Sequence, residues 1–422
     1  MEAEVAKTVL ENGIRVVTQK MPNVRSISMG VWVNVGARDE SSAESGLSHM
    51  IEHMIFKGTA KRTAFQIAKE FDAIGGNSNA FTSMEHTCYH AKVLDTHMAS
   101  MVEILSDIFL NSVFDELEIG RERAVILQEI SMVEDNPEEF VHLLAGGNFW
   151  GDHPLGRSIL GSRENVLGFD AKAVREFFHR LYQPERIVVS AAGNFDHDRL
   201  VAQISRPFAS IRPGNGIAPR KTPETNARCR AHARSLEQAH LCLTAEGLPI
   251  TDAQRYSFSL LNTILGGNMS SRLFQEIRER RGLAYSVYSF IISYVDSGMF
   301  GVYAGVEPKS IGEAIGLIVA EMRRLAEAGI DSGQLRDAKE YTKGCLLLAA
   351  ENTDSQMVRL AQNEIHYGAY VPLESVVEAI EAVTPDEIRT LAARLFQPDK
   401  FGLTLLGTGI EAGCEALLAA VA

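Results

Sequence analysis

Apolar residues recur along this chain with two periods, and the switches between them mark out its elements. Residues 8–19 carry short apolar runs on either side of Asn12-Gly13, a dipeptide suited to a tight turn, and are expected to form a hairpin. Ile27, Met29, Val31, Val33 and Val35 alternate with polar or small residues, the period of a strand. From Leu47 the period lengthens. Leu47, Met50, Ile51, Met54 and Ile55 fit one face of a helix, with Ser45 as the expected N-cap and Gly58 closing the run. A second helix is expected from Ala64 to Ile74, stopped by Gly75-Gly76. Residues 77–83 and 87–94 read as another hairpin, followed by helices from about Thr96 to Leu110 and from Asp115 to Val133. Asn136-Pro137 ends or bends the latter. Asp170 to Leu181 reads as helix and Arg186 to Ala192 as a buried strand.

The stretch Ile211 to Pro219 is rich in glycine and proline, as linkers are, and beyond it the pattern starts again. Arg175, Arg180, Leu181, Gln183 and Pro184 match Arg389, Arg394, Leu395, Gln397 and Pro398 at a constant offset of 214, which also sets Gly193 over Gly407. Phe114-Asp115 has a counterpart in Ile330-Asp331 at an offset of 216. A repeat this long predicts two homologous α+β domains rather than a short-period solenoid. We expect them at 1–210 and 228–422, joined by a linker at 211–227.

The bulk properties narrow the class. A length of 422 residues suits two to three ordinary domains, and 45% hydrophobic with 23% charged residues reads as globular. No apolar run is long enough to span a bilayer. Met1-Glu2-Ala3-Glu4 lacks the basic and apolar regions of a secretory signal. A formal net charge of −13 argues against nucleic acid as a partner and is compatible with basic substrates. The five cysteines, Cys88, Cys229, Cys242, Cys345 and Cys414, are odd in number and form no C-x-x-C. They are expected to be reduced thiols in a reducing compartment.

The chemistry concentrates in His49-Met50-Ile51-Glu52-His53. On a helix, two histidines four apart share a face and can grip one metal ion, and Glu52 leans toward the same side. A carboxylate there can accept a proton from a metal-bound water. The order H-x-x-E-H is an inverted zinc-protease pattern. At the 214 offset His49, Glu52 and His53 fall on Thr263, Gly266 and Gly267, so the second half keeps the fold without these side chains. Glu129, in the long 115–133 helix, can supply a third ligand, and Glu122 lies two turns earlier on the same face. Their counterparts are Ala338 or Arg336 and Cys345 or Lys343, depending on the offset. His86 and His90 are also four apart, but a strand would separate them by roughly 13 Å, so they are not expected to share a metal. Gly266-Gly267-Asn268-Met269-Ser270-Ser271 fits neither a dinucleotide-binding nor a phosphate-binding loop.

With His49, Glu52, His53, Glu122 and Glu129 in place, the sequence resembles the pitrilysin/insulysin family of inverted zinc proteases over nearly its whole length. Length, repeat and Asn79-Ala80-Phe81-Thr82-Ser83 are most similar to the processing-peptidase β subunit and its bacterial relatives. The resemblance implies an α+β fold of two mixed α/β domains, each a largely antiparallel sheet packed with helices, together forming half of a clamshell. It implies one zinc per chain on His49, His53 and Glu129, with Glu122 behind them. It implies endopeptidase activity on peptides or presequence-like segments in a closed chamber, with zinc-bound water as nucleophile and Glu52 as general base. Arg278 and Tyr285 fall on an arginine–tyrosine pair that holds the scissile carbonyl, as a cation and a phenol can. The stretch Asn79, Ala80, Phe81 and Thr82 falls on a strand that pairs with substrate. Glu138 and Glu139 follow the ligand helix where relatives recognise an arginine, although Leu143 stands where a second acid is expected. A chamber of four domains implies a homodimer, or a heterodimer with a related chain. The rival reading is a noncatalytic structural partner of such a complex, a role that tends to go with lost motif residues.

Overall fold

The computed structural model describes residues 4–214 and 219–410, with 414 and 417. Residues 215–218 of the expected linker, and the rest of the tail of the expected second domain, lie outside the described residues. The chain divides into two compact units. The first is built from residues within 1–131, 158–221 and 347–370, the second from residues within 132–157, 222–346 and 371–422.

The first unit holds six strands: β1 (Glu4–Val9), β2 (Arg15–Lys20), β3 (Ser26–Val33), β4 (Asn77–Thr82), β5 (Thr87–Leu94) and β6 (Ile187–Gly193). Their order is β1-β2-β6-β3-β5-β4, antiparallel except for the β2–β6 pair. The expected hairpin is present. Gly13, at φ +96°, makes its turn, and the Leu10 N–H donates to the Ile14 carbonyl at 2.8 Å.

Period-two alternation in β3 suggests one covered face, yet β3 is buried on both. Ile27, Met29, Val31 and Val33 join the main core with the helices Leu47–Ile55 and Met98–Asn111. Trp32 faces the other way, onto the helix Thr353–Tyr367. Its Nε1 donates to Met357 Sδ at 3.4 Å, and Ser28 Oγ lies 2.8 Å from Thr353 Oγ1. A Cβ on Gly30 would sit 2.7 Å from both Met357 Sδ and Trp32 Nε1, so a larger residue there would disturb that contact.

The second unit repeats this plan with β7 (Cys229–Ala233), β8 (Ala239–Glu246), β9 (Ala284–Ser293), β10 (Gly298–Val306) and β11 (Gly402–Gly407). The order β7-β11-β8-β10-β9 matches β2-β6-β3-β5-β4, again with one parallel pair, β7–β11. Here the helix Pro137–Trp150 covers β8 and β11, as Thr353–Tyr367 covers β3 and β6. Each sheet therefore takes its covering helix from the other half of the sequence. Two mixed α/β units with largely antiparallel sheets is the expected fold class. Asn136 does not merely bend the preceding helix, which runs Glu116–Asp135. Its side chain accepts the N–H groups of Glu138 and Glu139 and opens a new helix with Pro137 in the first turn.

The cysteine expectation is corrected. Cys229 and Cys414 are disulfide-bonded, with Cα atoms 5.8 Å apart, while Cys88, Cys242 and Cys345 are free. The partners lie 185 residues apart, so no local spacing could announce the bond. Among the described residues no helix is long and apolar enough to cross a membrane.

Candidate metal centre

The helix Leu47–Ile55 is fixed by its apolar face, with Leu47, Met50, Ile51, Met54 and Ile55 all buried. Its N-cap is Gly46, not the expected Ser45. The backbone there is left-handed, at φ +104°, and a Cβ would sit 2.9 Å from the Leu160 carbonyl oxygen. Both conditions demand glycine, and they outweigh the capping preference of serine. The helix ends at Phe56, whose N–H donates to the His53 carbonyl, two residues before Gly58.

One turn apart on this helix, the His49 and His53 rings lie 4.6 Å centre to centre. Glu129, on the helix Glu116–Asp135, reaches both: Oε2 is 3.5 Å from His49 Nε2 and Oε1 is 3.7 Å from His53 Nε2. One ligand atom from each residue lies within 4.8 Å of the other two. Two imidazole nitrogens and a carboxylate fit a catalytic zinc site with an open fourth position. Among the described residues no other group of three such side chains is this close. His86 lies just before β5 and His90 within it, each near Phe81.

Electrostatics set the two histidines apart. Burial, with the charge of His53, pushes the His49 imidazole down to about 3, holding it in the neutral form that binds metal. Burial acts the same way on His53. There the hydrogen bond to Glu122 and the charges of Glu129 and Glu52 outweigh it, and its net shift is upward. Glu122 is buried, with one oxygen 2.9 Å from His53 Nδ1 and the other 2.7 Å from Lys57 Nζ. That contact leaves His53 Nε2 facing Glu129, as outer-shell carboxylates do for ligating histidines. Burial works to raise the Glu122 carboxyl, but the bonds from His53 and Lys57 bring it below its ordinary value. Lys57 was not foreseen. Its one signal is its place, four residues after His53.

Glu52 stands beside the cluster without joining it. Burial raises its carboxyl against the pull of Thr82, whose hydroxyl donates to Glu52 Oε2 at 2.6 Å, and of His53. A raised carboxylate is a better base near neutral pH. Thr82 ends β4, the last strand of its sheet, so the outer edge of that strand is not paired within the sheet. Along β4, Ala80 packs on the motif-helix side and Phe81 on the Trp32 side, while Asn79 Oδ1 accepts the Ala80 N–H.

Arg278 and Tyr285 lie in the second unit. Arg278 sits in a π-helical turn, Phe274–Glu279, with its guanidinium 4.6 Å from the Tyr285 ring centre and 4.7 Å from that of Phe274. Its Nε also lies 3.7 Å from Glu279 Oε1, and Arg280 and Arg281 pair with Glu276, the ordinary fate of surface charge. Tyr285 is 79% exposed on β9, the last strand of the second sheet. Glu139 accepts from Asn136 Nδ2 at 2.8 Å, within the cap of its own helix. Glu138 accepts the Tyr288 hydroxyl at 2.8 Å.

The repeat needs one correction here. Buried pairs Leu260-Leu261 and Ile264-Leu265 on the helix Arg255–Leu265 match Met50-Ile51 and Met54-Ile55 at an offset of 210, not 214. Loops of unequal length absorb the difference. His49, Glu52 and His53 therefore correspond to Ser259, Asn262 and Thr263. On the helix Ser332–Ala350, buried Leu335 and Ala338 match Ile119 and Glu122 at 216, which selects Ala338 and Cys345 as the counterparts of Glu122 and Glu129.

Residues 15–163 match the family model described as insulinase, peptidase family M16, and residues 168–341 match the peptidase M16 inactive domain. An uncharacterized zinc protease of Bacillus subtilis is 40% identical over 396 residues, 94% of this chain and 96% of that protein. One from Mycobacterium tuberculosis is 40% identical over 408 residues, 95% and 92% of the two chains. In fold, the chain is similar to a protease from Helicobacter pylori, at a TM-score of 0.89, 20% identity and coverage of 96% and 100%. A peptidase M16 inactive domain from Pseudomonas fluorescens gives a TM-score of 0.90 at 18% identity, covering 97% and 100%.

Proposed function

Since the chain belongs to the insulinase family, peptidase family M16, we propose that it is a zinc-dependent endopeptidase. The observation that carries this is the convergence of His49, His53 and Glu129, with Glu52 beside them and outside the ligand set. His49, His53 and Glu129 would hold the zinc, which when bound would supply Lewis acidity toward the scissile carbonyl and toward the attacking water. Glu52 takes the proton from the attacking water and passes it to the leaving amine. Thr82 keeps the Glu52 carboxylate turned toward β4, where a peptide adds as a further strand along Asn79, Ala80, Phe81 and Thr82. Arg278 and Tyr285, pre-stacked, stabilise the developing oxyanion. The zinc centre then belongs to a domain at 1–210 and the arginine–tyrosine pair to one at 228–422. Two chains face each other as a homodimer, or the chain pairs with a related one, and each site takes its arginine and tyrosine from the opposing chain. The substrates are peptides, basic ones included, with Glu139 as a candidate contact; the bacterial relatives, not the cysteines, support the bacterial cytoplasm as the compartment.

The test is zinc content, native mass and cleavage of a quenched peptide, all measured on one purified fraction. About one zinc per chain, a dimer mass and chelator-sensitive cleavage are expected. Zinc without cleavage would favour the noncatalytic-partner reading, and absence of zinc would exclude the site.

A further inference from the structure

Glu40 lies nine residues before the first histidine and is only 3% exposed. Its two oxygens accept the first N–H groups of the motif helix: Oε2 from Gly46 at 2.8 Å and Oε1 from Ser48 at 2.7 Å. The Gly46 N-cap has no side chain with which to do this, and glycine is required there by its backbone angle and its close packing. The opening donors of a helix otherwise need a partner, and buried ones go unpaired at a cost. Glu40 is thus a cap supplied from a distance, through the two acceptor oxygens of its side chain. Ser48 is the residue immediately before His49, so the second bond fixes the backbone one peptide away from a ligand.

We propose that Glu40 is a positioning residue for the metal centre. By holding the Gly46 and Ser48 amides it sets the rotation and depth of the motif helix, and so the aim of His49 and His53 at Glu129. Burial raises the Glu40 carboxyl, to about 8 even with the two N–H donors pulling it down, so glutamate sits here despite an environment that disfavours charge. An apolar residue of similar size would meet no such opposition, yet could accept neither amide.

The inference rests on the zinc reading, and its test separates the two. Glu40→Leu fills the volume and removes both acceptors; Glu40→Gln keeps one. Glu364→Leu removes another carboxylate that is 3% exposed in the same unit, paired with Lys7 and Arg15, and serves as the matched control. The readout is the rate of zinc release to an excess of chelator, with melting temperature and peptide turnover alongside. Glu40→Leu should release zinc about 10–100 times faster, the usual penalty for losing an outer support of a metal ligand. Glu40→Gln should fall between it and the parent. The control should melt lower with parental zinc release. Parental release from Glu40→Leu, or equal acceleration in the control, overturns the proposal. Should Glu40→Leu not fold, Glu40→Gln decides alone: parental release from it overturns the proposal. A parent protein that takes up no zinc overturns the metal reading and this one with it.

Discussion

The two helix pairs that carry the repeat, Leu47–Ile55 with Glu116–Asp135 and Arg255–Leu265 with Ser332–Ala350, are the same scaffold with and without the candidate metal ligands. Their apolar positions agree: Met50, Ile51, Met54 and Ile55 against Leu260, Leu261, Ile264 and Leu265, all buried. Their polar positions do not. Where the first pair has His49, Glu52, His53, Glu122 and Glu129, the second has Ser259, Asn262, Thr263, Ala338 and Cys345. Of the second set, Thr263 is satisfied locally, for its Oγ1 donates to the Ser259 carbonyl of its own helix at 3.1 Å. Core packing therefore builds both pairs, and the charged residues of the first are surplus to the fold. That separation makes the metal side chains removable without loss of the scaffold.

The comparison breaks first, and most visibly, at the histidines. A His49→Ala, His53→Ala double variant should lose zinc and all measurable turnover yet melt cooperatively, because the second helix pair stands without such side chains; zinc retention would contradict the assignment. Glu52→Gln should keep zinc and lose about 10²–10⁴-fold in turnover, the usual worth of a general base. Parental cleavage by that variant would exclude the role. Arg278→Ala removes an oxyanion donor and should cost about 10²–10³-fold. Mixed with Glu52→Gln chains, it also tests whether the site forms across a dimer. Random pairing places one intact site in each mixed dimer, so about a quarter of parental activity should return. No recovery in a mixture shown to contain mixed dimers would sink the model. Glu122→Gln should cost about 10–100-fold in zinc affinity or activity, as loss of a ligand's outer-shell partner does. At the far end of the scale, Asn262→Ala should change turnover by less than about threefold, since half-buried polar changes outside a site are usually small. A large loss there would mean that the second helix pair has kept a chemical task.

Most of the candidate metal centre was legible because its chemistry is local or periodic. His49, Glu52 and His53 lie within one turn, and Glu122 and Glu129 lie two turns apart on one face. The sheets were legible through alternation and the Asn12-Gly13 turn. What escaped depends on partners far along the chain. Gly46 displaced Ser45 as the cap because residues 160–161 pack against it. Thr82 as the partner of Glu52, and the Cys229–Cys414 bond, required the folded sheets to bring them together. The constant offset failed at the motif helix because loops, unlike cores, tolerate changes in length.

The helix Thr353–Tyr367, which covers Trp32 and Ser28 from more than 320 residues away, bears on how the chain is made. During synthesis the first sheet emerges with Val17, Trp32, Cys88 and Val188 on an uncovered face. It stays uncovered until nearly nine-tenths of the chain has left the ribosome. Contacts of such long range are slow to form, and an apolar sheet face waiting for its cover is prone to aggregate. A nascent chain, or a fragment that stops at residue 210, is thus a natural client for holding chaperones.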